Sequence, residues 1–140
     1  MSMMMLAACA SPSVEPAPPA AAAPYTCLLP GEQRMLIAEL FFGRDRGGRR
    51  AVSDAEWSDF LASVVTPRFP DGLTVFDGYG QWRNPASGLI GRSPDVKIVL
   101  IAAPRSPDLA ARLAALIDAY KIRFHQQSVG IITRDSCAAF

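Results

Sequence analysis

Residues 34–42 read Arg-Met-Leu-Ile-Ala-Glu-Leu-Phe-Phe, an apolar and aromatic run of strand length. A Gly/Arg loop follows over residues 43–50. Ser53-Asp54-Ala55-Glu56 then forms a capping box, in which the Ser hydroxyl accepts from the amide three residues on and Glu56 reaches back. Trp57, Phe60, Leu61 and Val64 follow at helical spacing and make one apolar stripe. Pro67 and Pro70 are predicted to stop this helix. Asp71-Gly72 turns the chain into a second strand over residues 73–83.

Working outward from that unit, residues 84–94 carry Pro, Gly and Ser and read as a long hairpin connection. Residues 96–103 are a third strand. Ser106-Pro107 reads as an N-cap followed by Pro at the first helical position. The second helix places Leu109, Leu113, Leu116, Ile117, Tyr120 and Phe124 on one face, and residues 128–134 are a fourth strand. The order β-α-β-β-α-β predicts an α+β fold of the ferredoxin-like kind: a four-stranded antiparallel sheet, order 4-1-3-2, with both helices on one face.

The chain has 140 residues, enough for one domain, and 50% of them are apolar. A net charge of +1 gives no argument for nucleic acid, which usually selects a strongly basic domain. No run approaches the roughly 18 apolar residues that span a membrane. Residues 1–9 contain Leu6-Ala7-Ala8-Cys9, which matches a bacterial lipobox at the end of a truncated signal peptide. Residues 10–24, SPSVEPAPPAAAAP after Ala10, read as an Ala/Pro-rich linker. The folded domain is expected over residues 25–140. Membrane attachment is expected through a lipid on Cys9 only, at the periplasmic side of the cell envelope, with secretion as the other destination.

There are three cysteines, an odd number for an exported chain. Lipidation of Cys9 leaves Cys27 and Cys137 to pair; the competing reading is two unrelated buried thiols. The topology predicted above sets the start of the first strand beside the end of the fourth. It therefore brings Cys27 and Cys137 together.

Several stretches resemble an uncharacterised bacterial lipoprotein family, domain of unknown function 3574. They are Glu39-Leu-Phe-Phe-Gly43, Val52-Ser-Asp-Ala-Glu-Trp57, the run Val65 to Val75, Asp77-Gly-Tyr-Gly-Gln-Trp-Arg83, Tyr120-Lys-Ile-Arg-Phe124, Gln126-Gln-Ser-Val129 and Cys137 to Phe140. The resemblance covers nearly all of residues 36–140. It implies an envelope lipoprotein or secreted protein and carries no assigned activity. The chain departs from the family's pattern at Gln127, where an acid is usual, and over residues 91–96.

The loops at 43–50, 84–94 and 125–127 are expected at one end of the sheet. There they gather Arg44, Arg46, Arg49, Arg50, Arg83, Arg92 and the single histidine, His125. Such a cluster could hold an anionic group, but a solvated basic rim is the favoured reading. His125 alone makes neither a zinc site nor a catalytic constellation, so no metal and no cofactor are expected. At the other end, Arg68 and Asp71 on a stiff Pro-rich turn are candidate ligand residues, with an ion pair between them the favoured reading. Gly78 and Gly80 inside the second strand suggest a bulge or a close approach. Beside them Gln81 and Trp82 could hold a sugar or aromatic ring, or Trp82 could pack over a glycine.

Both faces of the predicted sheet are largely apolar, and helices cover only one. Glu39 on the second face is a candidate ligand or interface residue, with Lys97 on the neighbouring strand its expected partner. A large apolar face predicts a homodimer through the open sheet. The leading functional expectation is a non-catalytic envelope lipoprotein acting as a binding or assembly module. The alternative is a small enzyme of the dimeric α+β barrel type, acting on a small apolar or aromatic ligand.

Overall fold

The computed structural model describes residues 26–45 and 51–140, and the backbone alone at Ser93 and Pro94. The expected lipobox with Cys9, the linker, and Arg46, Arg49 and Arg50 lie outside the described residues. The elements are β1 (Gln33–Phe42), α1 (Asp54–Phe60), a π-helical turn (Leu61–Val65), α2 (Thr66–Arg68), β2 (Thr74–Arg83), β3 (Ile90–Pro104), α3 (Leu109–Phe124) and β4 (Gly130–Ala138). No helix among them is long and apolar enough to cross a membrane.

All strand pairs are antiparallel, and the neighbours run β2-β3-β1-β4. The expectation of a ferredoxin-like sheet of four simple strands is corrected here. Of the segment read as connection, residues 84–94, the turn occupies 84–89 and the rest is strand. β3 begins at Ile90, and its outer arm pairs Arg83↔Ile90 to Gly80↔Ser93, while its inner arm pairs Gly78↔Val96 to Thr74↔Leu100. The register shifts between the arms, where β3 carries one more residue than β2. Pro94 stands at this break; a proline has no N–H to give a ladder and is found at such bulges. With the arms numbered separately the sheet has five strands in pairing order 3-2-4-1-5. Periodicity missed the outer arm because Gly91, Arg92 and Ser93 carry no alternating apolar pattern.

Ser53 caps α1 as the sequence requires: Glu56 N–H donates to Ser53 Oγ, and Ser53 N–H donates to Glu56 Oε2 at 2.8 Å. The helix does not stop at Pro67. Thr66 N–H reaches back to Leu61 O, five residues away, and one more turn runs to Arg68 before Phe69 leaves at φ −134°. The wider π turn gives room to the proline ring, which would collide with a carbonyl in a regular helix. α3 starts from Asp108 rather than Ser106.

α1 and α3 pack on the face of the sheet formed by Ala38, Leu40 and Phe42 of β1 and Val99, Ile101 and Ala103 of β3. At its centre Phe42, Trp57, Phe60, Tyr120 and Phe124 form one aromatic cluster. Phe42 meets Tyr120 edge-on with centroids 4.7 Å apart, the arrangement that ring quadrupoles favour. Cys27 and Cys137 are disulfide-bonded with Cα atoms 5.6 Å apart, closing the domain across a separation of 110 residues.

Candidate functional site

On β2 the residues Phe76, Gly78, Gly80 and Trp82 share the face that turns away from the helices, as do Phe41 of β1 and Val96 and Ile98 of β3. At one end of this face lies a cleft of about 670 Å³, within the range of small-molecule sites. Its floor is Phe41, Val96, Ile98 and Gly80 of β2. A Cβ on Gly80 would stand 2.8 Å from Val96 Cγ2, and one on Gly78 would stand 3.1 Å from Ile98 Cδ1. The glycines therefore let large neighbours lie flat and leave the space above them free.

Two walls rise from the floor. One is the β2–β3 hairpin, with Gln81, Trp82, Asn84, Leu89 and Gly91. The other joins the end of β1 to the end of α3 through Gly43, Asp45 and residues 125–128. This second wall is tied from behind. Tyr120 Oη donates to Gly43 O at 3.0 Å, and Gln126 Nε2 donates to Asp45 O at 2.8 Å. Arg44 points inward, with Nε donating to Val52 O at 2.6 Å and a terminal nitrogen 2.9 Å from Asp54 Oδ1. It closes the base of the loop rather than facing a ligand.

The cleft therefore brings together three residues singled out from sequence: Gln81, Trp82 and His125. The others stand elsewhere. Arg83 is exposed on the hairpin and is not part of the cleft lining. Glu39 lies on the open face, where Arg134 reaches its carboxylate at 2.7 Å. Lys97 is on the opposite face and pairs with Asp77, so the expected Glu39–Lys97 contact does not form. Arg68 donates to Val64 O at 2.8 Å instead of pairing with Asp71, and Asp71 borders a smaller groove with Met35 and Leu100. Cys27, Cys137 and Glu32 place ligand atoms within 4.8 Å of one another, but the two sulfurs are bonded to each other. A zinc ion needs free thiolates.

Sequence reading missed Phe41, Asp45, Tyr79 and Gln126 as lining residues. The alternation of β1 placed Phe41 on the same face as Glu39, with no signal to say where on that face a cleft lies. Among the described lining residues there is no Lys or Arg, and Asp45 is the carboxylate. Of the expected basic cluster, His125 lines the cleft, Arg83 and Arg92 stand on the hairpin outside its lining, Arg44 turns inward, and Arg46, Arg49 and Arg50 lie outside the described residues.

Among solved structures, the chain is similar in fold to a phage SAM lyase in complex with S-methyl-5'-thioadenosine. The TM-score is 0.60 at 15% identity, covering 84% of this chain and 97% of that one. The apo state of a phage SAM lyase gives a TM-score of 0.56 at 14% identity with the same coverage. The leading expectation, a non-catalytic lipoprotein module, is corrected by this likeness: the fold is shared with an enzyme. No curated protein matches the chain. The family model described as "Protein of unknown function (DUF3574)" matches residues 37–140, and the chain belongs to that family.

Proposed function

We propose that this chain is a small enzyme whose active site is the cleft between the β2–β3 hairpin and residues 125–128, and whose ligand is a thionucleoside or its sulfonium parent. The observation that carries this is the make-up of the cleft. Trp82, Tyr79 and Phe41 offer aromatic surface, and Gln81, Asn84, Gln126 and Gln127 offer amides. Planar heterocycles stack on such rings and are read at their edges by amides. The same fold serves a SAM lyase, which supports a bond-breaking reaction on a sulfonium.

The chemistry needs no cofactor. S-methyl-5'-thioadenosine is what remains of SAM when the sulfur–carbon bond to the amino-acid arm breaks and the electron pair passes to sulfur. The arm must then close on an internal nucleophile or lose a proton, which asks the protein to orient the arm and exclude water. The Cys27–Cys137 disulfide supports an oxidising compartment, the cell envelope, as the place of action.

The test is calorimetric titration with S-methyl-5'-thioadenosine, followed by incubation with SAM and chromatographic detection of the thionucleoside. Binding that falls at least tenfold in Trp82→Ala, with product formed by the native chain, is expected. Absence of both binding and product would remove the reading.

A further inference from the structure

Among the described residues, one that is not glycine has positive φ: His125, at φ 54° and ψ 40°. It ends α3 in the left-handed conformation, and its backbone N–H donates to Lys121 O, as does that of Gln126 at 3.1 Å. This is the helix-ending position that glycine ordinarily fills, because a Cβ there crowds the following carbonyl. Helix termination alone would be served at least as well by glycine. Residues held in sparsely populated backbone conformations cluster at active sites and ligand clamps.

The same residue lines the cleft. The left-handed turn swings the chain out of α3 and makes residues 125–128 the cleft wall, which Gln126 locks to β1 through Asp45 O. His125 is exposed at that wall rather than packed beneath it. Its ring is therefore not needed by the core, which ends at Phe124. It is also the single histidine of the chain, and an imidazole is the side chain best able to both give and accept a hydrogen bond near neutral pH.

Resting on the active-site reading above, we infer that His125 is a ligand-contacting residue of the cleft, kept in a strained backbone position because its imidazole hydrogen-bonds the bound thionucleoside. Function and stability then pull in opposite directions at this residue.

The experiment compares the native chain with His125→Gly and His125→Asn, using S-methyl-5'-thioadenosine as probe in calorimetry and thermal melting without ligand. His125→Gly is expected to melt a few degrees higher than the native chain, because glycine adopts the left-handed conformation without strain. It should bind at least tenfold more weakly. His125→Asn, which tolerates the same backbone, should also lose at least tenfold in affinity. Either variant binding as tightly as the native chain overturns the inference and leaves the active-site reading standing. A lower melting temperature for the glycine variant overturns the strain argument and the inference with it. A native chain that does not bind the probe overturns both readings together.

Discussion

The indole of Trp82 lies against Gly91 across the hairpin, so closely that a Cβ on Gly91 would stand 3.0 Å from Cζ2 of the ring. The glycine keeps one face of the ring flat on the backbone, while the ring remains 38% exposed at the cleft. Gly91→Ala is expected to tilt the ring away from the hairpin. Stability should change by no more than about 1 kcal/mol, since the hairpin edge can relax. Affinity for S-methyl-5'-thioadenosine should fall severalfold, with a shift in tryptophan emission. Unchanged emission and affinity would show that the flat seat is irrelevant to binding.

The disulfide joins the residues preceding β1 to the end of β4, two strands already paired from Gln33↔Ala138 to Phe41↔Gly130. On the chain-entropy view, closing a loop of this length contributes about 4–5 kcal/mol by restricting the unfolded chain. The double variant Cys27→Ser, Cys137→Ser should therefore show a much lower urea midpoint, and reductant should do the same to the native chain. Equal midpoints with and without reductant would contradict this.

Glu39 and Arg134 form their pair on a partly solvated face, with side chains 25% and 52% exposed. Pairs of this kind contribute up to about 1 kcal/mol. Glu39→Gln should cost less than that in a urea melt and leave ligand affinity unchanged, because Glu39 is outside the cleft lining. A large loss of affinity would place Glu39 in the site after all.

The Asp108 carboxyl is held below its ordinary range, first by the Ser106 hydroxyl, then by its own backbone N–H and by the Arg112 guanidinium 3.0 Å away. A carboxyl lowered in the folded state stabilises the fold above its unfolded pKa of about 3.9. That contribution is lost as pH falls through the lower folded value. Asp108→Asn should thus flatten the acid limb of the stability–pH curve below about pH 4 and leave the curve's shape near neutrality unaltered. An unchanged acid limb would show that the interaction is equally present in the unfolded chain.

The elements were legible where local physics alone sets them. The apolar run of β1, the capping box at Ser53 and Glu56, and the helical stripe ending at Phe124 each depend on a few neighbouring residues. The outer arm of β3 was not legible, because it is held by hydrogen bonds to β2 and not by side-chain patterning. The turn through Pro67 was misread for a similar reason: a proline's effect depends on the geometry of the helix before it, and a π turn has no sequence signature that separates it from an α turn.

The candidate site divides in the same way. Trp82, Gln81 and His125 stood out by residue type, since aromatic, amide and imidazole groups carry chemistry wherever they lie. The amino-acid sequence by itself determined the strands and helices apart from the outer arm of β3 and the turn through Pro67, the apolar character of both sheet faces, and the presence of two cysteines flanking one domain. The tertiary structure alone decided that Arg44 turns inward to Val52 and Asp54, that Glu39 meets Arg134 instead of Lys97, and that Phe41, Asp45 and Gln126 join the cleft. The physical reason is reach. Propensity, capping and alternation act within one turn or one strand, whereas a cleft is made by residues as distant in sequence as Asp45 and Gln126, whose meeting depends on strand order, register and the single left-handed residue that ends α3.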